Sequence, residues 1–296
     1  MEAAGRRWVV AGRAFEAREV EQIRDTVAWL PKLSRWELVE TLCEHLEWFT
    51  AAGTPKRDAC LRLLEQLAGV GMIELPAMEQ RTKPARGKPP GSGVAVNPQS
   101  GPLAEALPVA LEPVATPAAA RAWDATVERH HPLGYRGAFG FRLRYFIQGR
   151  NGCLGCILLS GAAKAIAVRD QWIGWDAATR LNHLAGVVNN SRFLILPQVR
   201  IPHLASHVLG QLARRVGQDW ETHWGFRPWL LETFVDPVRF QGTCYLAAGW
   251  SCLGTTSGRG LARPGREYRS RPRLVFVKPL ADDFRRGLGV IRGDGR

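Results

Sequence analysis

The stretch FRPWLLETFVDPVRFQGTCYLAAGW, residues 226 to 250, sets two carboxylates four positions apart, Glu232 and Asp236, and follows them with a tyrosine, Tyr245. Upstream, Arg192 opens the apolar run RFLILPQV directly after Asn189, Asn190 and Ser191. If the two segments are neighbouring strands of an open α/β sheet, these groups meet near strand ends, where such sheets place their sites. Two carboxylates beside an arginine and a tyrosine suit general acid/base work, or a divalent metal when a third oxygen ligand joins them. The competing structural reading pairs Glu232 with Arg192 to neutralise a buried charge and takes Asp236-Pro237 as a turn.

Other reactive residues point less clearly to chemistry. Cys153 and Cys156 form a C-x-x-C, but inside a strand their side chains are expected on opposite faces, and no second pair has zinc-site spacing. Core cysteines are the expectation. His130 and His131 precede a Pro-Leu-Gly turn; His203 and His207 stand at i, i+4 without the acidic residue of the zinc-protease pattern, so no metal site is expected. No G-x-S-x-G or Walker turn is present.

Charge is the strongest bulk signal. Forty basic against 27 acidic residues give a net +13, which favours a polyanionic partner. Residues 1 to 80 hold 10 basic and 13 acidic residues, so the excess, +16, lies beyond them; residues 259 to 296 alone contribute +7. There, Arg259, Arg263, Arg266, Arg269, Arg271 and Arg273 are interleaved with glycines and Tyr268, which suits phosphate contact and base stacking. No run approaches the roughly 18 apolar residues of a membrane helix, and six cysteines are too few for a disulfide scaffold, so a cytoplasmic protein with no membrane partner is expected.

These groups need elements to hold them. Residues 1–78 read as a helical unit: an amphipathic helix over 19–30, a second opened by a Ser34/Glu37 capping box, and a third with Thr54 as N-cap and Pro55 at its first position. A short strand, Met72 to Leu75, follows. That is the layout of a winged helix-turn-helix, whose third helix would offer Lys56, Arg57 and Arg62 to a duplex. Residues 79–120 carry 8 of 19 prolines between Arg81 and Pro117 and read as a flexible linker. Residues 121–296 then alternate strands and helices: a hairpin turning at Asn151-Gly152, a helix from Asp176 to about Val188, a central strand Phe193 to Val199, a long helix ended by Gly225, the PWLLETFV strand, a short helix carrying Tyr245, and RLVFVKPL. This predicts an α/β mixed sheet with a parallel pair at its centre.

The order of elements resembles a GNAT-type acetyltransferase. In that family a turn of form [QR]-x-x-G-x-[GA] after the central strand holds the pyrophosphate of coenzyme A, and a tyrosine further on acts as general acid, the role the resemblance implies for Tyr245. Here the turn is RIPHLA: Arg200 and Ala205 match, His203 replaces the first glycine, and Pro202 removes an amide donor. Coenzyme A and divalent metal therefore both stay open as cofactors.

More closely, HHPLGYRG, RDQWIGW, NNSRFLILPQVRIPHLASHVL and ETFVDPVRFQGTCYLAAGW resemble the DruA-like family over residues 121 to 280. The family occurs in the Druantia anti-phage system and attached to transposases. The resemblance implies a setting in phage defence or mobile DNA, with partner proteins of those systems, and supplies no reaction. Together these features predict a GNAT-like α/β body preceded by a winged-helix-like unit, binding DNA or another nucleic acid through its arginines. The alternative is an enzyme that uses Glu232, Asp236, Tyr245 and Arg192 for phosphodiester chemistry or acyl transfer.

Overall fold

The computed structural model describes residues 8–51, 53–77, 92–135, 140–258 and 271–290. The chain opens with a hairpin, β1 (Trp8–Val10) and β2 (Arg13–Phe15), closed by Ala11 and Gly12, both at positive φ. Three helices follow: α1 (Ala17–Trp29), α2 (Arg35–His45) and α3 (Arg57–Gly69). Ser34 caps α2 and Glu37 reaches back to the Ser34 amide, the expected capping box. Helix α3 buries Cys60, Leu63, Leu64 and Leu67 as its spacing predicts, but starts two residues later than expected, with Lys56 as N-cap. Pro55 is bridged to Phe49 and the Lys56 amide donates to the Trp48 carbonyl (3.0 Å), so Thr54 and Pro55 belong to the preceding loop. Residues 72–75 form no strand, so the strand expected of a winged helix is not found among the described residues.

The body is a seven-stranded mixed sheet. Its elements are β3 (Gln99–Ser100), α4 (Leu103–Ala106), β4 (Ala110–Pro113), α5 (Pro117–His130), β5 (Arg142–Gly149), β6 (Gly152–Gly161), α6 (Ala167–Ile173), α7 (Ala177–His183), β7 (Val187–Ile195), β8 (Val199–Arg200), α8 (Leu204–Trp224), β9 (Leu230–Val235), α9 (Thr243–Ala247), β10 (Ser251–Thr255), β11 (Leu274–Pro279) and α10 (Phe284–Gly287). The order is β10-β11-β9-β7-β6-β5-β4, antiparallel except for the central β7 and β9. The expected α/β mixed sheet is thus present, with the expected succession of central strand, turn, long helix, strand and short helix.

Part of the span expected to be a linker, 79–120, is folded: β3 pairs with β8, and β4 is the edge strand beside β5. Proline is tolerated in both places it was taken as a breaker. An edge strand can lack a donor on its outer side, and Pro117 sits in the first turn of α5 behind the Thr116 cap. The helix expected to run to Val188 ends at His183, and the central strand occupies 187–195 rather than 193–199. Asn189, Asn190 and Ser191 have turn-like chemistry yet lie in a strand held by β6.

A continuous buried cluster joins the helical unit to the body. Polar links reinforce it: Arg142 Nη1 to Glu37 Oε1 (2.9 Å), and Lys164 Nζ to the Glu44 carbonyl (2.7 Å) and Glu47 Oε1 (3.1 Å). His45 lies at this junction, and burial, helped by the Lys164 ammonium, pushes its pKa from 6.5 to about 4. A proton thus binds the unfolded chain more tightly than the folded one, so this contribution to stability is complete above pH 6.5 and is lost as pH falls through 4. The denaturation midpoint is expected to drop between pH 7 and pH 4, less steeply in His45→Gln. Equal pH dependence in both proteins would remove His45 from this account.

Candidate functional site

The central strands pair for only three residues, Val187 with Leu230, Val188 with Leu231 and Asn189 with Glu232. Beyond that point β7 and β9 part. A β-bulge contributes: Leu158 pairs with Arg192 and Leu159 with Asn190, so Ser191 is the extra residue that bends β7. Thr233 Oγ1 donates to the Asn190 carbonyl (2.9 Å), compensating a backbone acceptor that has no ladder partner across the gap. Between the parted strands lies a cavity of about 670 Å³.

The four residues expected to converge do not. Successive β9 side chains alternate between faces: Leu230 joins a small core with Ile173, Val277, Phe284 and Leu288, whereas Leu231 and Val235 join the main core. Glu232 follows Leu230. It is fully buried, accepting from Arg169 Nη1 (2.7 Å) at Oε2 and from the Ala163 amide (2.9 Å) at Oε1. The buried charge is neutralised as the structural reading held, but by Arg169 instead of Arg192. Asp170 completes the set, accepting from Arg169 Nε (2.9 Å) and Arg180 Nη1 (3.3 Å). Burial alone would push Arg169 down, but Glu232 and Asp170 hold its pKa above the ordinary value. The carboxylate pair that metal-assisted phosphodiester chemistry would use is therefore not assembled. Among the described residues no cluster of three or more His, Cys, Asp or Glu is placed to hold a metal.

Asp236 and Tyr245 do face the cavity. Asp236 Oδ1 accepts from the Val238 amide (3.1 Å) and so stabilises the expected turn. Tyr245 is buried, stacked on Phe276 and edge-on to Trp250 at 5.1 Å. Gly242 (φ 73°) opens α9 against the Phe276 ring; a Cβ there would come within 2.4 Å of it. Burial raises the Tyr245 pKa, so the hydroxyl stays protonated at neutral pH, and Asn190 Nδ2 donates to it at 3.4 Å. Asn190 is 3% exposed and its Oδ1 has no partner among the described residues.

Cations gather beside this floor. Arg273 and Arg239 line the cavity, as do His130 and His131. Arg192 is half-buried next to them, donating from Nε to the Gly134 carbonyl (2.9 Å) and from Nη1 to the Ser191 carbonyl (2.7 Å). Burial lowers its pKa, and the Arg273 guanidinium lowers it further. His131 is pushed to about 4, by burial first and then by Arg192, and its Nδ1 accepts from the Leu133 amide (3.1 Å). It is neutral at pH 7, and because Nδ1 accepts, the ring proton sits on Nε2. Leu133 and Phe240 are exposed and line the cavity too. Arg239 was not legible in the sequence as a cleft residue; Arg273, one of the C-terminal arginines, and His131, beside the Pro-Leu-Gly turn, reach the same cavity from other segments.

Of the other expected contacts, Arg57 is paired with Glu40 (2.5 Å), Lys56 is the N-cap of α3, and Arg62 is exposed on it. Arg271 is exposed two residues from Arg273; Arg259, Arg263, Arg266 and Arg269 lie outside the described residues. At the RIPHLA turn, His203 takes the left-handed conformation (φ 64°) ahead of α8, and β3 pairs along the turn, matching Ser100 with Arg200. His207 meets Gln211 Nε2 (3.1 Å), one turn along its own helix. Cys153 and Cys156 are buried, as expected, but a bulge at Leu154 brings them into hydrogen-bond contact and not onto opposite faces.

Fold and cavity together define a mixed-sheet α/β protein with a helical unit packed against it and an arginine-rimmed cleft where its parallel strands part. Residues 70–263 match the family model for Druantia protein DruA, and the chain belongs to that family. No curated protein matches it. Two solved structures described as GNAT-family acetyltransferases are similar at low scores. One, from Desulfovibrio desulfuricans, is 14% identical over 58% of this chain and 99% of its own, with a TM-score of 0.34. The other, from Chromobacterium violaceum, is 17% identical over 66% and 94%, with a TM-score of 0.31. Neither likeness bears on function. No helix among the described residues is long and apolar enough to cross a membrane.

Removing one member of a fully buried ion pair strands the other charge. Arg169→Ala is expected to cost about 3–5 kcal/mol in denaturant titrations, whereas Asp236→Asn, at an open turn, should cost less than about 1 kcal/mol. Equal losses would contradict the division of the two carboxylates between a structural and a cleft-facing role.

Proposed function

We propose that this DruA-family protein is a cytoplasmic, nucleic-acid-binding component of an anti-phage defence system or mobile element, and that it takes sugar-phosphate backbone along the arginine rim of the cleft. The observation that carries this is the proximity of Arg192 and Arg273. A half-buried guanidinium, Arg192, whose charge is disfavoured by burial and by the neighbouring Arg273 and which has no carboxylate partner among the described residues, makes an anion's position. A phosphate oxygen between them would relieve the repulsion and gain charge-assisted hydrogen bonds. In sequence the arginine-rich stretch 259–271 runs up to Arg273, whose amide donates to Thr256 Oγ1 (3.0 Å). The unit over 1–78 is net acidic with residues 79 and 80 included, Glu37 and Glu47 are used against the body, and Arg57 is paired. We therefore assign it to holding the body, or to partner proteins, ahead of reading a duplex. DNA is the expected polymer.

Binding of a labelled 20-nucleotide single strand, measured at several salt concentrations, tests this. Affinity should fall steeply with salt, and Arg192→Ala and Arg273→Ala should each weaken binding for every sequence and lower the salt slope by about one. No binding, or binding indifferent to salt, would contradict the proposal.

A further inference from the structure

The cleft has more chemistry than a phosphate track needs. Its floor holds an amide, Asn190, that is more than nine-tenths buried, lines the cavity and keeps Oδ1 without a donor among the described residues. Leaving a buried acceptor unpaired is costly, so a site that does so is suited to a ligand that brings the donor. Phe193 and Tyr245 line the same cavity, and Phe240, 57% exposed, and Leu133, also exposed, line it where it opens to solvent. About 670 Å³ is within the range that encloses a small planar molecule. A ligand that is flat, carries a hydrogen-bonding edge and has a phosphate attached is a nucleotide.

We infer that the cleft receives one unstacked nucleobase, its amino group donating to Asn190 Oδ1, its ring against Phe240 at the mouth, and its phosphate toward Arg192 and Arg273. This rests on the proposal of strand binding and adds the substrate's base to it. The floor also discriminates. Asn190 Nδ2 is already directed to the Tyr245 hydroxyl, so the open requirement is for a donor. Adenine and cytosine present an exocyclic amino group at the edge of the ring; thymine and uracil present a carbonyl at that place, and their one donor on that edge, N3–H, lies between two carbonyls whose oxygens would be brought toward Asn190 Oδ1. The same nucleotide chemistry could come from a strand or from a free nucleotide, and the test distinguishes them.

The full chain is titrated at fixed salt with fluorescein-labelled eight-residue strands of deoxyadenosine, deoxycytidine and thymidine, and separately with dAMP. The first two strands should bind about tenfold or more tighter than the third, and Asn190→Ala should level the three. Phe240→Ala, an exposed position whose change leaves the core intact, should weaken the adenine and cytosine strands about tenfold with the salt slope retained. Equal, salt-dependent binding of all three strands by the unaltered protein, or no effect of Phe240→Ala, would overturn the base pocket while leaving strand binding in place. If no strand binds, strand binding itself falls and dAMP decides: binding that Phe240→Ala weakens keeps the pocket as a free-nucleotide site, and no binding overturns it.

Discussion

Two parallel strands that stay paired for three residues and then diverge set the terms for everything around them. Past Asn189 and Glu232 the backbones of β7 and β9 have no ladder to share, and each must be held by something else. On one face that support is the Glu232–Arg169–Asp170 network, sealed under a small core of Ile173, Leu230, Val277 and Phe284. On the other face Thr233 secures the loose carbonyl of Asn190 and the space stays open. The same strand thus supplies a closed ionic staple and, one residue later, the wall of a cleft.

A net charge of +13 says little until its members are divided by partner. Arg57, Arg142, Arg144, Arg169, Arg215 and Arg227 each face a carboxylate and so belong to the fold's own electrostatics. Arg192 is held by backbone carbonyls, which orient a guanidinium without cancelling its charge, and after burial the largest influence on it is another cation, Arg273. Orientation with the charge retained is what phosphate recognition requires. The neutral His131 alongside adds a donor without further repulsion.

Much of the architecture was legible from local rules. The Ser34/Glu37 box and the Gly225 stop depend on neighbours in sequence and are where those rules put them, and the hairpin expected at Asn151-Gly152 turns one residue earlier, at Arg150-Asn151, with Gly149 paired to Gly152. What escaped detection depended on distant partners or on residues used against type. The β1–β2 turn places Ala11 at positive φ, where asparagine or glycine would have announced it. Strand β4 hid among prolines because an edge position tolerates them, and β7 hid behind Asn189-Asn190-Ser191 because pairing with β6 overrides their preference for turns. The pairing of Glu232 with Arg169, 63 residues away, has no local signature, so proximity in sequence pointed to Asp236 instead. Asn190 was noted only as a neighbour of Arg192; its burial with an unpaired oxygen becomes visible only once the strands are seen to part.

The central claim is that nucleic acid enters at the parting of β7 and β9. Ultraviolet crosslinking of a short single strand to the whole protein, followed by peptide mass spectrometry, locates the contact directly. Adducts on the segments that carry Ser191 to Ile195 and Phe240 to Tyr245 are predicted. Adducts confined to α3 of the helical unit would place the strand elsewhere and contradict the account.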